Sequence, residues 1–166
     1  MLAGRILPDE KQDDATVDRL VALIGEEYSR HWADTTQPYP SIPEMLDALT
    51  RRRVRLAVLS NKAHPATQSM VSRLLPRWRF EVVSGARPEM PLKPDPATAR
   101  EIARRMQLPP ECFLYLGDSD IDMKTARGAG MYAVAALWGY GEKEDLQSAG
   151  AQTLAEAPDV LLELLR

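Results

Sequence analysis

Three side chains with the chemistry to bind a phosphate ester stand at separate points in the sequence. Ser60 ends the segment VRLAVLS, Lys93 lies in PLKPDP, and Asp118 ends CFLYLGD. A serine hydroxyl, with the backbone amides around Asn61, can donate hydrogen bonds to phosphoryl oxygens, and a lysine ammonium can neutralise their charge. A carboxylate suits Mg²⁺, which prefers oxygen ligands and keeps several waters. If the fold brings these groups together, they would hold a phosphate ester and Mg²⁺.

Each of these residues also has an ordinary structural interpretation. Ser60 would serve as the N-cap of a following helix, which is the commoner role of a serine there. Lys93, in a proline-rich loop, would be a solvated surface charge. Asp118, Asp120 and Asp122 would be acidic residues gathered at a helix N-terminus, where the helix dipole favours negative charge. The case for a functional site therefore depends on whether the three groups converge.

Alternating apolar and amphipathic segments predict the elements that position these residues. Buried strands are expected at 54–60, 80–85, 112–117 and 132–138, with a weaker strand at 151–155. Helices are expected around them at 43–52, 65–75, 96–107, 121–128 and 158–165. Ser41 and Glu44 predict a capping box for the first of these helices.

This alternation predicts an α/β fold with a doubly wound, mostly parallel sheet. In such sheets, ligands bind in the crevice beyond the carboxyl ends of the strands. Ser60 and Asp118 each follow or end a predicted strand, and Lys93 follows another. We therefore expect the three groups to meet at one edge of the sheet.

The N-terminal part of the chain is predicted to be a separate unit. Residues 13–33 place apolar side chains at helical spacing, which indicates one amphipathic helix. The polar, proline-punctuated segment DTTQPYPSIP follows and marks a boundary near residues 35–42. We therefore predict two domains, residues 1–37 and residues 38–166.

Composition and charge narrow the class of protein. The chain has 166 residues, is 45% hydrophobic and carries a net charge of -3, values that are ordinary for a soluble globular protein with a sizeable core. The acidic balance disfavours nucleic acid as a partner, and the longest apolar stretch is too short to span a membrane. A single cysteine, Cys112, excludes an internal disulfide and favours a reducing compartment. We expect a cytoplasmic protein.

Three segments carry a family resemblance. LAVLSNK, PLKPDP and FLYLGDSDIDM, in this order and with a helix between each, resemble the second, third and fourth motifs of the haloacid dehalogenase superfamily of phosphatases. PYPSIPEMLDAL, ARRMQLPPECFLYLGDS and TARGAGMYAVAALWGY resemble its phosphoglycolate phosphatase group. The resemblance extends from about residue 13 to the C-terminus. It implies a Rossmann-like core in residues 38–166 and part of a helical cap in residues 1–37.

The resemblance implies a role for each matching residue. Ser60 and Asn61 would bind the transferring phosphoryl group, and Lys93 would stabilise its charge and that of the nucleophile. Asp118 would coordinate Mg²⁺, Asp122 would support the metal or its waters, and the role of Asp120 is open. The substrate would be a small phosphorylated metabolite such as phosphoglycolate.

The first motif of that superfamily, an apolar strand that ends in Asp-x-Asp-Gly-Thr, does not occur in this sequence. Its aspartates would supply the nucleophile, which forms an aspartyl phosphate, and the general acid and base. The resemblance places this strand in the middle of the sheet, between 54–60 and 112–117. Without it, two apolar strand edges would be exposed and would favour self-association. We expect the complete protein to hydrolyse small phosphomonoesters and the chain as given to be inactive alone.

Several explanations and two other classes of function stay open. A misplaced start codon or a truncation is favoured over a degenerate product and over a strand supplied by a partner chain. The chain would alternatively be a non-catalytic remnant that keeps a phosphate and metal pocket, or an interaction protein. A receiver-like signalling domain also places acidic residues and a lysine at strand ends, but the order of Lys93 before Asp118 disfavours it.

Overall fold

The structure is a computed structural model that describes residues 13–165, without the side chains of Asp14, Tyr28 and Ser29. The chain divides into two compact units, Met1–Gln37 and Pro38–Arg166. The described part of the first unit contains helix α1 (Asp14–His31), which was predicted over 13–33. Residues 1–12 of the predicted first domain lie outside the described residues. That this unit belongs to a helical cap stays a prediction.

The second unit alternates strands and helices, as the apolar pattern predicts. Its strands are β1 (Leu56–Ala63), β2 (Phe80–Ala86), β3 (Leu114–Gly117), β4 (Tyr132–Ala136) and β5 (Thr153–Ala155). Its helices are α2 (Ile42–Arg51), α3 (His64–Leu74), α4 (Ala97–Arg105), α5 (Asp120–Ala129), α6 (Lys143–Ser148) and α7 (Val160–Leu164). Helix α6 was not predicted, because six residues with one fully buried side chain, Leu146, give too short a periodic signal. None of the helices in the described part of the chain is long and apolar enough to cross a membrane.

The strands form two parallel sheets. Strands β1 and β2 pair with each other, with Val58 opposite Val83. Strands β3, β4 and β5 form the second sheet, with Leu116 opposite Val134. The predicted α/β fold with parallel strands is confirmed. Among the described residues, no strand pairs with the facing edges of β1 and β3, so the predicted single sheet is divided there.

An apolar cavity of about 500 Å³ separates β1 from β3. Side chains from both strands line it, together with side chains of α2 and α4; they include Leu56, Val58, Leu114, Leu116, Leu46 and Ile102. A packed protein interior holds few voids larger than a water molecule, so the described residues do not fill the space between these two strands. The cavity lies where the resemblance places the strand of the first motif. We call this space the interstrand slot.

The core is complete on the other side of β3. Residues Ala133–Ala136 of β4 are buried, and Met123 and Ala126 of α5 pack against this strand from one side. Leu146 of α6 closes the same cluster and has no exposed surface. Helix α5 is therefore fixed against the three-stranded sheet, and its first turn is held at the carboxyl edge of β3.

The predicted capping box at the start of α2 is wrong. Ser41 precedes the helix with φ 65°, in the left-handed region, and its side chain makes no capping hydrogen bond. A capping box needs an extended N-cap residue whose hydroxyl faces the N–H groups of the first turn. Pro43 in the first turn, which lacks an N–H, reduces the number of donors that need a cap.

Because of the interstrand slot, two leucine substitutions should differ in their effect on stability. Leu146→Ala should lower the free energy of unfolding by about 3–5 kcal/mol, because it empties a fully packed position. Leu116→Ala should cost less than about half of that, because Leu116 borders an existing cavity and has fewer contacts to lose. Urea unfolding of the two variants measures the difference. Equal losses would show that the slot is filled in solution.

Candidate functional site

Lys93 and Asp122 form a buried ion pair at the carboxyl edge of the sheets. The Lys93 Nζ lies 2.7 Å from Asp122 Oδ1, and the two side chains are only 12% and 9% exposed. Lys93 lies in the loop after β2, whereas Asp122 lies in the first turn of α5, directly after β3. The pair therefore connects the two-stranded sheet to the three-stranded sheet. The interpretation of Lys93 as a solvated surface charge is wrong.

Both oxygens of Asp122 accept hydrogen bonds. Oδ1 accepts from the Tyr115 hydroxyl at 3.3 Å as well as from Lys93. Oδ2 accepts from the Ser119 hydroxyl at 2.6 Å, and Ser119 caps α5 by accepting the Asp122 N–H. These contacts favour Asp122 as the partner of Lys93. Its predicted support of a metal or its waters stays a prediction.

Tyr115 is a part of this cluster that the sequence analysis missed. Burial raises the pKa of Tyr115 far above its ordinary value, and the negative charge of Asp122 and the hydrogen bond to it raise this pKa further. The hydroxyl therefore stays protonated and donates. Tyr115 and Gly117 share one face of β3, since alternate residues of a strand do. A Cβ on Gly117 would overlap the Asp122 side chain, so the glycine allows α5 to approach the strand.

Asp118 is held by the loop that follows β4. Its Oδ2 accepts the Tyr140 N–H at 3.1 Å, and its backbone carbonyl accepts the Gly141 N–H at 2.8 Å. A Cβ on Gly139 would overlap the Asp118 side chain, so glycine is needed where this loop passes. Within the described residues, Oδ1 of Asp118 has no hydrogen-bond partner. In that part of the chain, this oxygen is therefore not committed to a protein donor.

Asp118 therefore fits the role of a Mg²⁺ ligand. The described residues contain no group of three or more histidine, cysteine, aspartate or glutamate side chains that would hold a metal on their own. Mg²⁺ does not need such a cage, because it is usually bound through one or two carboxylates, with water and substrate phosphate as the other ligands.

Asp120 forms an ion pair on the surface of α5. Its carboxylate lies 2.6 Å from the Lys124 ammonium, and the hydrogen bond between them lowers the pKa of Asp120.

Ser60 and Asn61 lie in the last part of β1. The Ser60 Oγ accepts the Lys62 N–H at 3.1 Å, and α3 begins only at His64, so the interpretation of Ser60 as a helix N-cap is wrong. The Asn61 side chain bonds the backbone of Lys93 twice: Oδ1 accepts its N–H at 2.8 Å, and Nδ2 donates to its carbonyl at 3.0 Å. Ser60, Asn61 and Lys93 also line one small cavity of about 10 Å³, enough for about one water.

The structure thus brings the predicted site residues to one edge of the sheets. Contacts run from Asn61 to Lys93 and from Lys93 to Asp122, with Ser60 beside Asn61 in β1 and Asp118 in the short turn before α5. Periodicity places these residues at strand ends, but it does not indicate which of them bond to each other. The phosphate-binding and metal-binding roles stay predictions.

The sequence matches a known family. Residues 5–136 match the family model described as haloacid dehalogenase-like hydrolase. The phosphoglycolate phosphatase of Aquifex aeolicus is 29% identical over 136 residues, which cover 82% of this chain and 64% of the relative. That of Nitrosospira multiformis is 30% identical over 140 residues, which cover 83% of this chain and 61% of the relative. The chain therefore spans less than two thirds of the length of these curated relatives.

Solved structures share the fold. A phosphoglycolate phosphatase candidate from Lactobacillus delbrueckii subsp. bulgaricus superposes with a TM-score of 0.86 at 30% identity, over 96% of this chain and 66% of that one. A haloacid dehalogenase-like hydrolase from Streptococcus pneumoniae has a TM-score of 0.85 at 23% identity, over 99% of this chain and 80% of that one. At that lower identity, the second match indicates the fold alone.

The two aspartate–lysine pairs of α5 should differ in their effect on stability. Asp122→Asn leaves the buried Lys93 ammonium without a counter-charge, and breaking a buried pair in this way typically costs about 3–5 kcal/mol. Asp120→Asn breaks an exposed pair and should cost within about 1 kcal/mol. Urea unfolding near neutral pH measures both variants. Similar losses would contradict the distinction between the pairs.

Tyr115 should make the stability of the chain fall at alkaline pH. An unfolded tyrosine loses its proton near a pH of about 10, whereas the folded Tyr115 keeps it to higher pH. Its contribution to stability is therefore fully present below that pH. Above it, folding takes up a proton, and the free energy of unfolding falls by up to about 1.4 kcal/mol per pH unit.

Tyr115→Phe should reduce this alkaline slope, whereas Tyr140→Phe, at a residue that is 91% exposed, should leave it unchanged. Urea unfolding of both variants and the original chain between a pH of about 9 and about 11 measures the slope. The same slope in all three proteins would be evidence that Tyr115 is not buried as described.

Proposed function

The chain belongs to the haloacid dehalogenase-like hydrolase family, and we propose that it forms the core of a Mg²⁺-dependent hydrolase of small phosphomonoesters. Both curated relatives described above are phosphoglycolate phosphatases. The observation that carries the proposal is the buried Lys93 ammonium, which pairs with Asp122 while Asn61 holds the Lys93 backbone, at the edge where Ser60 and Asp118 lie. Burial of an ammonium group costs free energy, and a buried ammonium group is suited to bind an anion.

The residues present would bind and stabilise a phosphoryl group. The Ser60 Oγ already accepts the Lys62 N–H, so its own O–H is left to donate to a phosphoryl oxygen. The backbone N–H of Asn61 would donate beside it. The Lys93 ammonium would offset the negative charge of the group and of the attacking carboxylate. Groups fixed before the reaction in this way stabilise the charge of the transition state without reorganising.

Asp118 would hold Mg²⁺ through the oxygen that does not accept the Tyr140 N–H. When bound, Mg²⁺ supplies positive charge that polarises the phosphoryl oxygens. The loop 139–141 keeps the Asp118 carboxylate in one orientation, which is the part that this chain contributes. Asp122 would act on the other side of the site, by holding Lys93.

The nucleophile would come from a strand in the interstrand slot. Such a strand would pair with the edges of β1 and β3 that have no partner strand among the described residues, and it would fill the apolar cavity between them. If it ran parallel to both, its carboxyl end would lie at the edge that carries Ser60 and Asp118. An aspartate there would attack phosphorus and form an aspartyl phosphate, while the alcohol leaves with a proton from a second aspartate. Water would then hydrolyse the aspartyl phosphate.

A second candidate function follows from the sequence itself, which contains no Asp-x-Asp-Gly-Thr segment. The chain would then be a non-catalytic binding module, which binds phosphate and Mg²⁺ through Ser60, Lys93 and Asp118 without turnover. The two candidates differ in one observable: only the first predicts release of phosphate when a strand with the missing aspartates is supplied.

We expect the 166-residue chain alone to release no phosphate from phosphoglycolate or from a panel of small phosphomonoesters. The same chain preceded by a segment that contains an apolar strand ending in Asp-x-Asp should release it, and only with Mg²⁺. Asp118→Asn in the extended chain should lower the rate by at least about 100-fold, because the proposed metal ligand loses its charge. A colorimetric assay of inorganic phosphate measures all of these rates.

An extended chain whose first aspartate is changed to asparagine serves as the matched control, since it fills the slot without a nucleophile. Activity of this control, or activity of the extended Asp118→Asn variant at the full rate, would overturn the proposed mechanism. Activity of the chain alone would mean that its own residues supply the nucleophile. A fully inactive extended chain that still binds phosphate would support the binding module instead.

A further inference from the structure

Lys93 is fixed at both ends of its side chain. Its ammonium bonds Asp122, whose two oxygens are in turn held by Tyr115 and Ser119. Its backbone N–H and carbonyl both bond the side chain of Asn61. A lysine side chain is otherwise flexible, and loops after strands are generally the more mobile parts of a fold. The position of the Lys93 charge therefore depends on contacts at both ends.

The Asn61 contact is specific to an asparagine. Its oxygen meets a donor at 2.8 Å and its nitrogen meets an acceptor at 3.0 Å, so exchange of the two atoms would place like groups against each other. The pair of bonds resembles the one between facing residues of two strands. It connects the end of β1 to the loop that carries Lys93, across 32 residues of chain.

This geometry indicates that the Asn61 side chain does not contact phosphate directly. Both polar atoms of its side chain are engaged with Lys93, so only its backbone N–H would be available to a phosphoryl group. We propose that Asn61 is a positioning residue, whose side chain sets where the Lys93 ammonium lies relative to a bound phosphoryl group. We call the two hydrogen bonds between the Asn61 side chain and the Lys93 backbone the clamp. The consequence for phosphate rests on the proposed function, whereas the clamp does not.

The clamp is tested first without any ligand, by amide hydrogen exchange of the Lys93 N–H followed by NMR. In Asn61→Ala this amide should exchange at least about tenfold faster, because it loses its acceptor. Asn61→Asp keeps the acceptor for this amide but places its second oxygen against the Lys93 carbonyl, so it should restore only part of the protection. The matched control is Gln152→Ala, which removes another side-chain amide that bonds a backbone N–H, that of Ala133 in β4. It should leave the Lys93 amide unchanged.

The effect on the site is tested by titration with inorganic phosphate at a temperature where every variant is folded. Asn61→Ala should weaken phosphate binding by about tenfold, as loss of a residue that orients a ligand-binding group commonly does, while Gln152→Ala should not. In a Lys93→Met background, Asn61→Ala should have no further effect on affinity, because Asn61 acts through Lys93. A purely structural role for Asn61 would not produce this dependence.

The outcomes separate the clamp from the proposed function. Unchanged exchange at Lys93 in Asn61→Ala overturns the clamp, and an equal loss of affinity in the presence and absence of Lys93 overturns the positioning role. If the original chain binds no phosphate, the proposed function fails, and the exchange data still decide for or against the clamp. If Lys93→Met does not fold, the contrast between Asn61→Ala and Asn61→Asp in exchange and affinity decides.

Discussion

The ion pair between Lys93 and Asp122 joins two sheets that share no backbone hydrogen bond in the described residues. Lys93 reaches it from the loop after β2, and Asp122 reaches it from the first turn of α5. A buried pair is stable only if its remaining polar atoms are also satisfied, and here Tyr115 and Ser119 satisfy the carboxylate. Polar contacts therefore order the carboxyl edge of the fold, even though an apolar cavity lies between β1 and β3.

This arrangement explains why small residues stand close to the pair. Gly117 lets α5 approach β3, and Gly139 lets the loop after β4 pass over Asp118. A larger residue at either position would displace a carboxylate of the site. The end of β1 and the turn after β3 lie at one edge, because Lys93 bonds Asn61 in β1 and Asp122 in the first turn of α5. A strand that filled the slot would meet a site whose charged groups are already in place.

The sequence predicts the elements better than it predicts their contacts. Apolar runs identify the strands that end near Ser60 and Asp118, because burial on both faces leaves a clear local pattern. The pattern carries no information on partners, so the bonds of Asn61 to Lys93 and of Tyr115 to Asp122 were not predicted. The capping box at Ser41 was not found, because Ser41 has a left-handed backbone instead of the extended one that a capping box needs. Helix α6 was missed because its periodic signal is short.

A crystal structure of the chain with Mg²⁺ and tungstate, a heavy analogue of phosphate, tests most directly whether these residues form one site. The account predicts tungstate oxygens within about 3 Å of Ser60 Oγ and of Lys93 Nζ, and Mg²⁺ coordinated by the Asp118 carboxylate. Lys93 should keep its contacts with Asn61 and Asp122. Tungstate bound elsewhere, or Lys93 turned out to solvent with Asp122 on the metal, would contradict it.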